Sequence, residues 1–185
     1  VDAVALAAAG GHHLMLIGEP GSGKTMIASR IPSILPALSE SDALTASAIH
    51  SLAGDLPAGG LLDHAPFQSP HHSMSIPAMV GGGSSCIRPG AVSLAHGGVL
   101  FLDEATEFAP AVLDSLRQPI ESGWVRIQRS GHVASYPASF QLVLATNPCP
   151  CGHLGGRTKS CTCSSLQRRR YLGRLSGPLI DRIDI

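Results

Sequence analysis

Residues 18–25 read Gly18-Glu19-Pro20-Gly21-Ser22-Gly23-Lys24-Thr25 and fit the pattern GxxxxGK[ST] at each fixed position. The glycines let backbone N–H groups turn inward around a phosphate, and a helix opening at Lys24 aims its positive end there. The Lys24 ammonium then neutralises β- and γ-phosphate oxygens, and the Thr25 hydroxyl supplies a ligand for Mg²⁺. A chance glycine-rich turn is the competing reading, against which stand a strand before the loop and a helix after it. Asp103 and Glu104 follow the apolar run Val99-Leu100-Phe101-Leu102. Asp103 is the expected carboxylate that holds Mg²⁺ through water. Glu104 is the expected base that orients and polarises an attacking water. Kinases that share the loop pass phosphate to another substrate and need no such base, so the Asp-Glu pair points to hydrolysis. A strand-ending turn or helix cap is the alternative. Thr146-Asn147, closing a third apolar run, brings an amide near the γ-phosphate if that strand neighbours the loop strand. On its own, an Asn there is a turn former.

The cysteines suggest a second chemistry. Cys86 stands alone, while Cys149, Cys151, Cys161 and Cys163 fall within fifteen residues. Two CxC pairs supply four thiolates to a structural Zn²⁺, with His153 as an alternative ligand. Free or redox-active thiols remain the other reading. Four thiolates leave no open position, which excludes a catalytic zinc.

These groups need a scaffold. The runs 14–17, 99–102 and 140–145 predict strands buried on both faces of a parallel sheet. Helices are expected over 1–9, 24–31 (ended by Pro32), 39–52 and 110–121. Residues 124–136 alternate as a hairpin, with Ser130-Gly131 as its turn. Residues 55–98, dense in Gly, Pro, His and Ser, predict an inserted loop or small hairpin outside the core. Strand–helix alternation implies an α/β fold with a parallel sheet.

The ordered motifs resemble the AAA+ ATPases of the magnesium-chelatase-like group, in the ComM/YifB branch. They are the phosphate loop, the Asp-Glu strand, a hairpin before the Asn-ending strand, and residues 175–184. Residues 67–72, 81–90 and 147–152 carry the finer likeness. The resemblance implies a three-layer αβα P-loop NTPase core over 1–185, with inserted hairpin and loop elements; full members of the group carry a lid domain, which is not expected within these residues. It implies ring hexamers with ATP between neighbours and Arg182 as the arginine finger acting in trans. The alternative for Arg182 is an ion cluster with Asp181 and Asp184. The insert and hairpin would face the pore, making Arg126, Arg129 and His132 candidates to touch a polymer. A DNA branch-migration helicase is the implied activity. The motor subunit of a metal chelatase and a nucleotide-dependent binding switch are the alternatives.

Composition bounds the rest. With 44% hydrophobic residues and 21 glycines, the chain is not of the disordered class. No apolar stretch reaches the roughly 18 residues of a membrane span, and no signal peptide is visible, so a cytoplasmic protein without a membrane partner is expected. The formal net charge is zero. Yet Arg157, Lys159, Arg168, Arg169, Arg170, Arg174 and Arg182 crowd the last 29 positions, either as a local basic surface for DNA or as a solvated helix face.

Overall fold

The computed structural model describes residues 2–57, 60–83, 86–129, 132–155 and 159–185, with the backbone alone at Arg129 and His132. The chain opens with helix α1 (Asp2–Gly10), strand β1 (Leu14–Ile17) and helix α2 (Lys24–Ala28), then α3 (Glu40–Ala53). A two-residue strand β2 (Phe67–Gln68), helix α4 (Ile76–Val80), the pair β3 (Gly81–Gly82) and β4 (Arg88–Pro89), and α5 (Ala91–Leu94) follow. Next come β5 (Val99–Leu102), α6 (Pro110–Asp114), α7 (Arg117–Ser122), hairpin strands β6 (Trp124–Arg129) and β7 (His132–Pro137), and β8 (Gln141–Thr146). Helices α8 (Ser165–Leu172) and α9 (Gly177–Ile180) complete the order.

The central sheet is parallel, in the order β1-β8-β5-β2. Alternation along its strands splits the core in two. Leu100, Leu102, Leu142 and Leu144 face a cluster with Met79, Val92, Phe108, Leu113 and Leu116. Val99, Phe101, Val143 and Ala145 face Ala7, Ala28 and Ile31 on the other side. A sheet that is apolar on both faces must be covered by helices on both, which is the three-layer α/β arrangement predicted. Each fully buried Leu, Val or Phe contributes about 2 kcal/mol of transfer free energy, so the four side chains of β5 anchor the middle of the sheet.

Three expectations change. The helix after the phosphate loop closes at Ala28, because the Pro32 ring would strike the carbonyl four residues back; residues 31–34 continue as a 3₁₀ turn. The helix expected over 110–121 breaks into α6 and α7, with Pro119 acting on Ser115 in the same way. Residues 55–98 do form a small hairpin in β3 and β4, but they do not stay out of the core. Met79 and Val92 are fully buried, and β2 pairs with β5 as the fourth strand of the sheet. Gly98 makes this closure possible: a Cβ there would lie 2.0 Å from the Pro66 carbonyl oxygen. The expected Ser130-Gly131 turn and Arg157 lie outside the described residues.

Two histidines are wired into this framework as acceptors. His13 Nδ1 accepts the Leu142 N–H at 3.0 Å and His96 Nδ1 accepts the Ser139 N–H at 3.2 Å. Burial lowers both pKa values from the ordinary 6.5, against the pull of Asp184 on His13 and Asp42 on His96. The unfolded chain then binds more protons, so their contribution is present above about pH 6.5 and is lost as pH falls below it. Denaturant titrations at pH 7.5 and pH 5.5 should give the lower midpoint at pH 5.5, and His13→Gln should flatten the difference.

Candidate active site and metal centre

The phosphate loop leaves β1 at Ile17 and enters α2 at Lys24, so the parallel sheet delivers it to one edge of the molecule. Gly21 and Gly23 adopt φ values of 76° and 84°, a region that any larger residue would enter with strain. Lys24 Nζ donates to the carbonyls of Gly18 at 2.8 Å and Glu19 at 3.0 Å, and to Asn147 Oδ1 at 3.2 Å. The Asn147 contact follows from topology. Because β8 pairs with β1 in register Ile17↔Thr146, the residue after β8 arrives beside the loop. The condition set on Asn147 by the sequence, that its strand neighbour the loop strand, is met.

Asp103 reaches the same place from β5. Its Oδ2 accepts the Thr25 hydroxyl at 2.7 Å. A hydroxyl and a carboxylate oxygen in contact at the edge of a cleft are hard oxygen donors of the kind Mg²⁺ takes. Pro20, Gly21, Ser22, Gly23, Lys24, Thr25, Asp103, Glu104, Thr146 and Asn147 line this cleft, together with Met26, around a volume of ≈ 410 Å³. Of the residues expected around a triphosphate, Pro20 to Thr25 and Asp103 thus meet in one concavity, while Gly18 and Glu19 lie outside its lining. Glu104 stands at its rim with φ 51°, the one non-glycine residue with positive φ among those described. Backbone strain of this kind collects at working sites. The carboxylate lies 3.6 Å from His72 Nδ1, on the chain just past β2.

Several contributors escaped the sequence reading. His72 is one, since two-residue β2 gives no periodic signal. Behind the cleft, hydroxyls run inward: Thr106 Oγ1 to Thr146 Oγ1 at 3.2 Å, then to Tyr171 Oη at 3.4 Å. Arg174 ties α8 to this layer by donating to the Thr106 carbonyl at 3.2 Å and to Glu107 Oε2 at 3.0 Å. Glu104, Asn147, Arg170, Tyr171 and Arg174 share an adjoining cavity of ≈ 490 Å³. Nothing in the pattern of α8, with three consecutive arginines at 168–170, announces that its Tyr171 turns inward.

Arg182 is absent from the walls of the phosphate cleft. It pairs with Glu121 of α7 and donates to the Pro178 carbonyl, not with Asp181 or Asp184. Asp184 instead accepts from the His13 backbone N–H at 2.7 Å. On the hairpin, Val125 and Ile127 are buried while Arg126 is exposed on the opposite face. The side chains of Arg129 and His132 lie outside the described residues.

The four clustered cysteines converge. Cys149 Sγ is 3.4 Å from Cys151 Sγ and 3.6 Å from Cys161 Sγ; Cys151 and Cys161 are 3.7 Å apart. All four sulfurs lie within 4.8 Å of one another. Tetrahedral Zn–S bonds of about 2.3 Å place ligands roughly 3.8 Å apart, so the spacing fits a zinc ion and is too long for a disulfide. Backbone N–H groups of His153 and Thr162 hold the Cys151 thiol down to about 6. At Cys163 the Cys151 backbone bond pulls down too, but burial and the neighbouring thiols win and push it up to about 11. Four thiols this close cannot all ionise alone. A divalent cation would stabilise them as thiolates. Cys86 is exposed and away from the group.

Among the described residues no helix is long and apolar enough to cross a membrane. Residues 1–185 match the family described as magnesium chelatase, subunit ChlI. A protein of Mycobacterium tuberculosis is 56% identical over 187 residues, covering 99% of this chain and 36% of that protein. The protein YifB of Escherichia coli is 53% identical over 180 residues, covering 97% and 35% respectively. Competence protein ComM of Haemophilus influenzae is 49% identical over 183 residues, covering 99% and 35%. The chain spans about a third of the length of these curated relatives.

Proposed function

The chain belongs to the magnesium chelatase, subunit ChlI, family, in the branch of its YifB and ComM relatives, and from that premise we propose that it binds ATP with Mg²⁺ and hydrolyses it to drive a ring-shaped DNA motor. The observation that carries the proposal is the 2.7 Å contact between Thr25 and Asp103, residues 78 positions apart that close the phosphate cleft. In this reading the loop N–H groups and Lys24 hold the β- and γ-phosphates. Thr25 and Asp103 would hold Mg²⁺, which would offset charge on the phosphate oxygens. Glu104 takes the proton of the attacking water, and Asn147 positions that water or reports loss of the γ-phosphate.

Arg182 acts on the neighbouring subunit. Its place outside its own cleft suits an arginine supplied in trans to a homo-hexamer. The DNA part of the proposal is supported by the exposed Arg169, Arg170 and Arg174 on and after α8, by exposed Arg126 on the hairpin, and by the competence role in the name of the ComM relative. The four cysteines hold a structural zinc, supported by their spacing.

ATPase rates of the full-length protein, measured with and without single-stranded and forked DNA, test the DNA assignment. We expect stimulation by DNA that weakens as salt rises, since phosphate contacts release counterions. Stimulation by a chelatase partner alone would replace DNA with metal insertion. A basal rate unmoved by either would leave a nucleotide-timed binding switch.

A further inference from the structure

The metal centre and the phosphate loop share a wall. Between β8 and α8 the described residues form neither helix nor strand, so backbone ladders do not fix this segment. It nonetheless meets the loop three times. Asn147 accepts from Lys24 at 3.2 Å. Gly152, at φ 80°, closes the Cys149 turn by donating its N–H to the Cys149 carbonyl at 2.9 Å. It also packs so tightly that a Cβ would stand 2.7 Å from Pro20 Cδ. Beyond it, His153 Nδ1 lies 3.8 Å from Glu19 Oε1. Both atoms are buried and have no hydrogen-bond partner among the described residues.

We infer that the four-cysteine centre is a positioning device for the phosphate loop, so that metal at Cys149, Cys151, Cys161 and Cys163 and nucleotide in the adjacent cleft strengthen each other's binding. This rests on the zinc and nucleotide readings above. The metal fixes the Cys149–Cys151 turn, the turn fixes Gly152 and His153, and these press on Pro20 and Glu19, two of the four positions that the loop pattern leaves open. Without the metal, the segment loses this cross-link, and the loop loses the surface that holds its second and third residues in place. Outer contacts of this kind change affinity by about 10- to 100-fold elsewhere. Coupling between two sites is necessarily reciprocal.

The test uses full-length protein in reducing buffer. Elemental analysis should find one zinc per chain, and replacement by Co²⁺ should give the thiolate charge-transfer bands of a tetrahedral sulfur site. Adding ADP with Mg²⁺ should shift those bands and make the metal about tenfold harder to extract with a chelator. Gly152→Ala and His153→Ala keep all four thiolates. Each should retain one metal per chain yet weaken ADP binding about tenfold. Absence of metal from the wild-type protein would overturn the zinc reading and the coupling with it. A normal metal site whose spectrum and chelator resistance ignore ADP, with ADP affinity unchanged in both variants, would overturn the coupling and leave the zinc standing. Loss of ADP binding in the wild-type protein would instead overturn the nucleotide reading.

Discussion

Glu104→Gln should bind ATP normally and release phosphate about 10²- to 10⁴-fold more slowly, the range that separates a positioned general base from none. The substitution keeps the size and most of the hydrogen-bonding reach of the side chain while removing its ability to take a proton. The surroundings favour a clean result. Glu104 is more than half exposed at the rim of the cleft, so Gln leaves no buried charge unpaired. Its left-handed backbone is tolerated by amides about as well as by carboxylates. The neighbour at 3.6 Å, His72, loses an acidic partner, which is a surface effect of well under 1 kcal/mol. Phosphate release measured alongside nucleotide titration separates the two steps. A variant that turns over at the wild-type rate would remove Glu104 from its role, and Asp103 could not inherit it while bonded to Thr25.

How much of this was legible in the sequence depended on whether a residue's role was local. The phosphate loop, Asp103 and Asn147 each end or follow a short run of apolar residues, and a buried parallel strand is such a run. Their convergence followed once β8 and β5 were placed beside β1. The helix expected over 39–52 lies within a residue of the observed α3 for the same reason, since the Ser39 side-chain oxygen and the left-handed Gly54 that cap it each act within one turn. Where the fold depends on partners far apart in sequence, the signal disappeared. Phe67 and Gln68 are a strand because β5 has an edge to fill, and two residues cannot carry a period. Met79 and Val92 are core because α4 and α5 press on Leu100 and Leu102, although glycines and prolines surround them in sequence. The cysteines were visible as possible ligands, but their closeness to Glu19 and Pro20 was not. That contact is made by Gly152, whose importance lies in an atom it lacks.

Lys24→Ala should lower ATP and ADP affinity by at least about 10²-fold. The ammonium donates to the Gly18 and Glu19 carbonyls and to Asn147. All of these partners are acceptors that would prefer not to face a triphosphate, so the lysine both neutralises the rim and stands ready to turn toward phosphate oxygens. A hydrogen bond to a charged group is worth roughly 1.5–3 kcal/mol, so removing a pair of such bonds to phosphate oxygens costs about 3–6 kcal/mol. At about 1.4 kcal/mol per factor of ten, that is two to four decades of affinity. The effect on folding should be much smaller, because the side chain is only partly buried and its carbonyl partners can bind water instead. Calorimetric titration with ADP and Mg²⁺ reads the affinity, and a thermal melt without nucleotide confirms that the variant is folded. Near-normal affinity in a folded Lys24→Ala protein would mean that the glycine loop cradles something other than a phosphate chain, since no other cation is among the described side chains that line the cleft.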